Sequence, residues 1–100
     1  RKFVSDLYPS VLVSDKLEDI LHDQEIDAVV ISTPVNTHFK LAVQCLEHGK
    51  HVLVEKPPAL SLSQLNGLNE LANRNNLVYM LDCLYLFSDS ITKLKDLIDK

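Results

Sequence analysis

The sequence predicts an α/β domain: a parallel sheet with helices on both faces. Three observations carry this. Short apolar runs alternate with stretches of helical periodicity, at the spacing of strand–helix units. Ala28-Val29-Val30-Ile31 runs without a polar interruption, the pattern of a strand buried on both sides. Pro9, Pro34, Gly49 and Pro57-Pro58 punctuate the junctions between these segments. With 100 residues, 46% hydrophobic and 24% charged, the chain is too apolar for disorder and long enough for one domain with a modest core.

Phe3, Val4 and Leu7 fall at helical spacing before Tyr8-Pro9-Ser10, where proline stops a helix. Val11-Leu12-Val13 is predicted as a short strand. Asp15 is expected to cap the next helix, with Glu18 completing a capping box and Leu17, Ile20 and Leu21 on its apolar face. Ile26 to Ser32 is the next strand, and Thr33-Pro34 ends it. A helix from about Thr37 to His48 turns Phe39, Ala42, Val43 and Leu46 to one side, with Asn36 or Thr37 as its cap and Gly49 as a left-handed stop. His51-Val52-Leu53-Val54 is a strand halted by Glu55-Lys56-Pro57-Pro58. Ser61-Leu62-Ser63-Gln64 is a second capping box, opening a helix with Leu65, Leu68, Leu71 and Ala72 inward. Leu77 to Leu81 is a strand, and Ser88 or Asp89 starts a last helix carrying Ile91, Leu94, Leu97 and Ile98.

A formal charge of −4 with no basic cluster speaks against nucleic acid or an anionic membrane surface as partner. No apolar run approaches the roughly 18 residues of a membrane span. Arg1 to Asp6 hold no signal-peptide core and the chain does not start with Met, so it is expected to begin inside something larger. Cys45 and Cys83, two lone cysteines, suit a reducing compartment and hence a cytoplasmic protein.

Three segments point further: Asp27-Ala28-Val29-Val30-Ile31-Ser32-Thr33-Pro34-Val35-Asn36-Thr37-His38, then Gly49-Lys50-His51-Val52-Leu53-Val54-Glu55-Lys56-Pro57, then Leu84-Tyr85-Leu86-Phe87. Together they resemble the glucose–fructose oxidoreductase / inositol dehydrogenase / MocA family of NAD(P)-dependent oxidoreductases. The resemblance covers nearly the whole chain; Glu-Lys-Pro alone would be a weak tripeptide, but its spacing from Thr-Pro-x-x-x-His is specific. It implies a Rossmann domain, a substrate domain after it, and hydride transfer between NAD or NADP and a sugar, nucleotide-sugar or polyol. On this view residues 1–100 are the C-terminal part of the Rossmann domain, lacking its first two strands, its G-x-G-x-x-G turn and the substrate domain. Gly49 and Gly67 are the only glycines, and neither opens a helix after a strand. The strands at Ala28, Val52 and Val78 should be neighbours, whereas residues 1–14 should lack their sheet partner. Homo-oligomers are common among relatives, through the domain that is missing here.

By resemblance Lys56 is the catalytic lysine. Chemically, a lysine just past the carboxyl end of a buried strand stands where ligands bind in open α/β sheets, and can serve a reacting oxygen. The competing reading is a surface lysine in a proline-flanked turn. Pro57 restricts the turn and permits a cis Lys56–Pro57 bond. Glu55 lies near the nicotinamide in relatives, and would otherwise be a solvated carboxylate. Ser32, Thr33, Pro34 and Asn36 line the ribose path by resemblance, and equally suit a helix cap. His38 either touches the cofactor, orients Asn36, or lies on the helix surface. His48 and His51 have an H-x-x-H look, but Gly49 separates helix end from strand start, so no metal is expected. Asp82-Cys83 stands where many relatives have Gly-His, a departure from the family pattern. Cys45 reads as core packing, and Tyr79 and Tyr85 as core or interface aromatics.

Two other functions compete: a non-catalytic binding or oligomerisation domain of the same ancestry, and a receiver-like regulatory domain. The second would need an acidic cluster at the strand ends, where Thr-Pro and Lys-Pro stand instead.

Overall fold

The computed structural model describes residues 2–99. Three parallel strands form one sheet in the order β1 (Ala28–Ile31), β2 (His51–Val54), β3 (Tyr79–Leu81). They are the neighbours the sequence predicts. The register sets Ile31 beside Val54 and Val54 beside Leu81, so all three carboxyl ends finish level.

Two 13-residue helices make the crossovers, α3 (Val35–Glu47) and α4 (Leu62–Arg74), while α1 (Lys2–Leu7), α2 (Leu17–Leu21) and α5 (Asp89–Ile98) flank them. Ala42, Cys45 and Leu46 of α3 and Leu68 and Ala72 of α4 meet Ile31, Val52 and Val54 in the core, joined by Leu21 from α2. Burying side chains the size of Leu46 and Leu68 contributes about 1.5–3 kcal/mol each. The unbroken apolar run of β1 is buried on the helix side only: Ile31 is buried, but Val30 is 68% exposed, and Met80 of β3 is also open. Among the described residues, α3 and α4 pack together over one face and leave this other face uncovered. The chain is elongated, 50 × 36 × 24 Å, because α1 buries no residue and α5 packs mainly on the turn before it. No described helix is long and apolar enough to cross a membrane.

Local signals explain most boundaries. Gly49 takes φ +75°, the left-handed stop expected of it. Ser61 Oγ accepts from Gln64 N–H at 3.2 Å, while Gln64 Oε1 accepts from Leu60 N–H at 3.0 Å, one residue before the usual partner of a capping box.

Three expectations need correction. Val11-Leu12-Val13 forms no strand, and Leu12 is 96% exposed: among the described residues it pairs with no strand of the sheet. Asp15 does not cap α2. Its N-cap is Lys16, with no side-chain cap bond, and Ser14 organises the turn by accepting from Lys16 N–H and donating to Asp19. α3 starts at Val35, two residues early, with Pro34 as N-cap, so neither Asn36 nor Thr37 caps it. Proline already holds a helix-compatible φ and has no N–H to satisfy. The last helix forms where expected, with its apolar stripe outside the core and Ile98 73% exposed.

Candidate functional site

Because the strands are parallel and end level, the segments after β1, β2 and β3 converge along one edge of the sheet. Glu55 N–H donates to Ile31 O at 3.0 Å and Asp82 N–H to Val54 O at 2.8 Å, which fixes these ends together. Ser32, Thr33, Pro34 and Asn36 are exposed on the first segment; Lys56 and Pro57 are exposed and Glu55 half-buried on the second. The side chains singled out in the sequence thus gather at the carboxyl ends, the ligand position of open α/β sheets.

Two concavities open there. One, of about 310 Å³, is lined by Lys56, Asp82, Cys83, Leu84, Tyr85 and Leu86. The other, of about 530 Å³, runs between α2 and α3 and includes Glu18, Thr33, Pro34, Asn36, Thr37 and Lys40. The first falls at the lower end of small-molecule pocket volumes, roughly 300–1,000 Å³, and is apolar except for Lys56 and Asp82. The second presents hydroxyl and amide groups, which can both donate and accept hydrogen bonds. Thr33 and Thr37 share a hydroxyl hydrogen bond of 2.6 Å and Thr37 Oγ1 donates to Pro34 O at 2.7 Å, so the first turn of α3 is braced from within.

The Lys56–Pro57 peptide is cis. Pro57 and Pro58 have no N–H, so this turn offers only acceptors, and two side chains meet them. His38 Nδ1 lies 2.8 Å from Pro57 O, and Tyr79 Oη donates to Pro58 O at 3.1 Å. His38 Nε2 lies 2.8 Å from Thr33 O. The ring is 1% exposed, beneath the cleft and off the helix surface. Both nitrogens are engaged with backbone, so the side chain is turned away from a ligand in the cleft.

Leu84–Phe87, a 3-10 turn after β3, was absent from the sequence-based site, although three of its residues wall the cavity beside Lys56. Its signal was the exposed run Leu-Tyr-Leu-Phe, too apolar for a plain connector. Tyr79 was read as packing. Burial raises its hydroxyl above the ordinary value of 10.0, and a buried tyrosine hydroxyl calls for an acceptor. Cys45 is core, with its thiol raised by burial and partly offset by Lys50. His48 meets His22 edge-on, with ring centroids 5.4 Å apart, while His51 Nδ1 accepts from Val78 N–H; among the described residues no three His, Cys, Asp or Glu side chains form a metal-binding group.

Comparison with known proteins agrees with this geometry. A family model described as "Oxidoreductase family, NAD-binding Rossmann fold" matches residues 2–83. The uncharacterized oxidoreductase YdgJ of Escherichia coli is 46% identical over 65 residues, 65% of this chain and 19% of its own length. The scyllo-inositol 2-dehydrogenase (NAD(+)) of Bacillus subtilis is 32% identical over 81 residues, 81% of this chain and 24% of its own length. Among solved structures, KijD10, a 3-ketoreductase from Actinomadura kijaniata in complex with TDP-benzene and NADP, superposes with a TM-score of 0.88 at 26% identity, covering 98% of this chain and 31% of that one. The chain therefore spans about a fifth to a quarter of these curated relatives' length. It belongs to the glucose–fructose oxidoreductase / inositol dehydrogenase / MocA family of oxidoreductases with an NAD-binding Rossmann fold.

Proposed function

We propose that this chain is the C-terminal part of the cofactor domain of an NAD- or NADP-dependent dehydrogenase or reductase acting on a sugar, nucleotide-sugar or polyol. Lys56 serves the reacting oxygen. The observation that supports this most is the position of Lys56: it follows the central strand directly, at the mouth of the 310 Å³ cavity and level with Ser32–Asn36. Ser32, Thr33, Pro34 and Asn36 hold the cofactor's ribose side, while Glu55 and Pro57 shape the nicotinamide side, with His38 supporting both from below. The bound nicotinamide supplies or receives the hydride. In the reducing direction the Lys56 ammonium hydrogen-bonds the substrate carbonyl and gives it a proton as it becomes an alcohol. In the oxidising direction the Lys56 amine takes up the hydroxyl proton. Positioned acid–base groups of this kind contribute about 10²–10⁴-fold in rate. Two free cysteines support a cytoplasmic setting.

The test is Lys56→Met in the protein that carries this chain. Turnover is followed at the nicotinamide absorbance with scyllo-inositol and a panel of hexoses and nucleotide-sugars, and NADH and NADPH binding by fluorescence. Turnover reduced by about 10²-fold or more with cofactor binding kept is the expected result. Unchanged turnover refutes the role of Lys56. Absence of both binding and turnover in the unaltered protein favours the non-catalytic reading, which the unusual Asp82-Cys83 pair also suits.

A further inference from the structure

We infer that His38 is a positioning residue that fastens the Lys56 turn to the Thr33 turn and sets the width of the cleft between them. The last backbone hydrogen bond between these strands is Glu55 N–H to Ile31 O; beyond it, among the described residues, none joins segment 32–34 to segment 56–60. The imidazole takes over where the ladder stops. It sits 2.8 Å from Thr33 O on one side and 2.8 Å from Pro57 O on the other, the carbonyl one residue after Lys56.

The chemistry of the turn makes a donor from elsewhere necessary. Pro57 and Pro58 contribute carbonyls and no N–H, so the turn cannot brace itself with their amides. His38 and Tyr79 reach it from α3 and β3, two elements anchored in the core. A neutral imidazole donates to only one of the two carbonyls, so holding both at once takes the imidazolium, with a proton on each nitrogen. The ring is 1% exposed, so its nitrogens have these carbonyls as partners in place of water. Tyr79 braces one turn; His38 alone spans both.

The inference rests on the reading of Lys56 as the acid–base group, and two measurements keep the two separable. The first needs neither cofactor nor substrate. Amide hydrogen exchange is compared in the unaltered chain, His38→Gln and Tyr79→Phe. His38→Gln should speed exchange in both segments, 33–37 and 56–60, whereas Tyr79→Phe should speed only the second. Faster exchange in one segment alone for His38→Gln overturns the inference. If that variant does not fold, the ring itself decides: in long-range proton–nitrogen spectra of the unaltered chain, slowly exchanging, hydrogen-bonded N–H groups on both Nδ1 and Nε2 of His38 support it, and a single N–H, or fast exchange at either nitrogen, overturns it.

The second measurement is a double-mutant cycle of His38→Gln with Lys56→Met, using the substrate on which turnover is found. His38→Gln should lower kcat by about 10- to 100-fold, the scale of a small misplacement of a catalytic group, with KM little changed. On the Lys56→Met background the same substitution should cost almost nothing. An equal loss on both backgrounds refutes positioning through Lys56. A Lys56→Met enzyme with normal kcat removes the acid–base reading instead, and leaves the exchange result to judge the clamp.

Discussion

Gly49→Ala and Gly67→Ala add the same methyl group to empty space, and are expected to move stability in opposite directions. Nothing lies within 4 Å of a Cβ built at either position, so neither change produces a clash. What differs is the backbone. Gly49 stops α3 at φ +75°, where an L side chain costs roughly 1–2 kcal/mol. Gly67 lies inside α4, exposed, in a conformation alanine prefers, so alanine there gains about 0.5–1 kcal/mol, partly by restricting the unfolded chain. The same restriction offsets some of the penalty at Gly49, leaving a net loss of about 1 kcal/mol. For a domain of this length 1 kcal/mol is roughly 4–8 °C in Tm, so the two variants should separate by about 6–16 °C around the parent. Urea unfolding followed by far-ultraviolet circular dichroism, with equal m-values, gives the comparison. Two shifts of the same sign, or no effect at Gly49, would refute the division into backbone and contact terms.

The thiols should also part company. Cys83, half-buried at the cavity wall, is expected to react with iodoacetamide in the folded chain, while Cys45, 1% exposed with a burial-raised thiol, reacts only on unfolding; mass spectrometry of a time course reads both, and equal rates would contradict the core position of Cys45. Alkaline stability follows from Cys45 and Tyr79. Both hold their protons to higher pH folded than unfolded, against ordinary values of 9.0 and 10.0. Their contribution is complete below those values and is lost as pH rises through the folded ones. Melting temperature should therefore fall from about pH 9 upward, and fall less steeply in a Cys45→Ala, Tyr79→Phe variant; parallel pH profiles would show that other groups govern the decline.

What the sequence made legible was whatever local chemistry decides. Ala28–Ile31 and His51–Val54 are short, apolar and β-branched, and they form strands. Gly49 and Ser61 carry their stop and cap signals within four residues. The strand expected at Val11–Val13 has the same local character but lacks a partner, and a ladder is never a local property. His38 shows the same limit at the site. Its place in the first turn of α3 was readable, but its burial depends on carbonyls 5 residues before it and 19 after, brought together by the sheet. Lys56 and Ser32–Asn36 could be found because they sit at strand ends, where position along the chain already implies position in space. Leu84–Leu86 stood out as a motif, but its place in the cavity wall was not readable, because a wall is defined by what it faces.

The uncovered face of the sheet bears on how this chain behaves in the tube. Val30 on β1 and Met80 on β3 present apolar surface, and among the described residues each of these strands is hydrogen-bonded on one side only. Two copies meeting there can extend the ladder or bury both patches. Heating exposes further core, and association through it competes with refolding. Reversibility becomes a function of concentration, and scan rate enters the apparent midpoint. Dilution is the control: a midpoint that holds across a tenfold range of chain concentration reports folding, and one that drifts reports self-association.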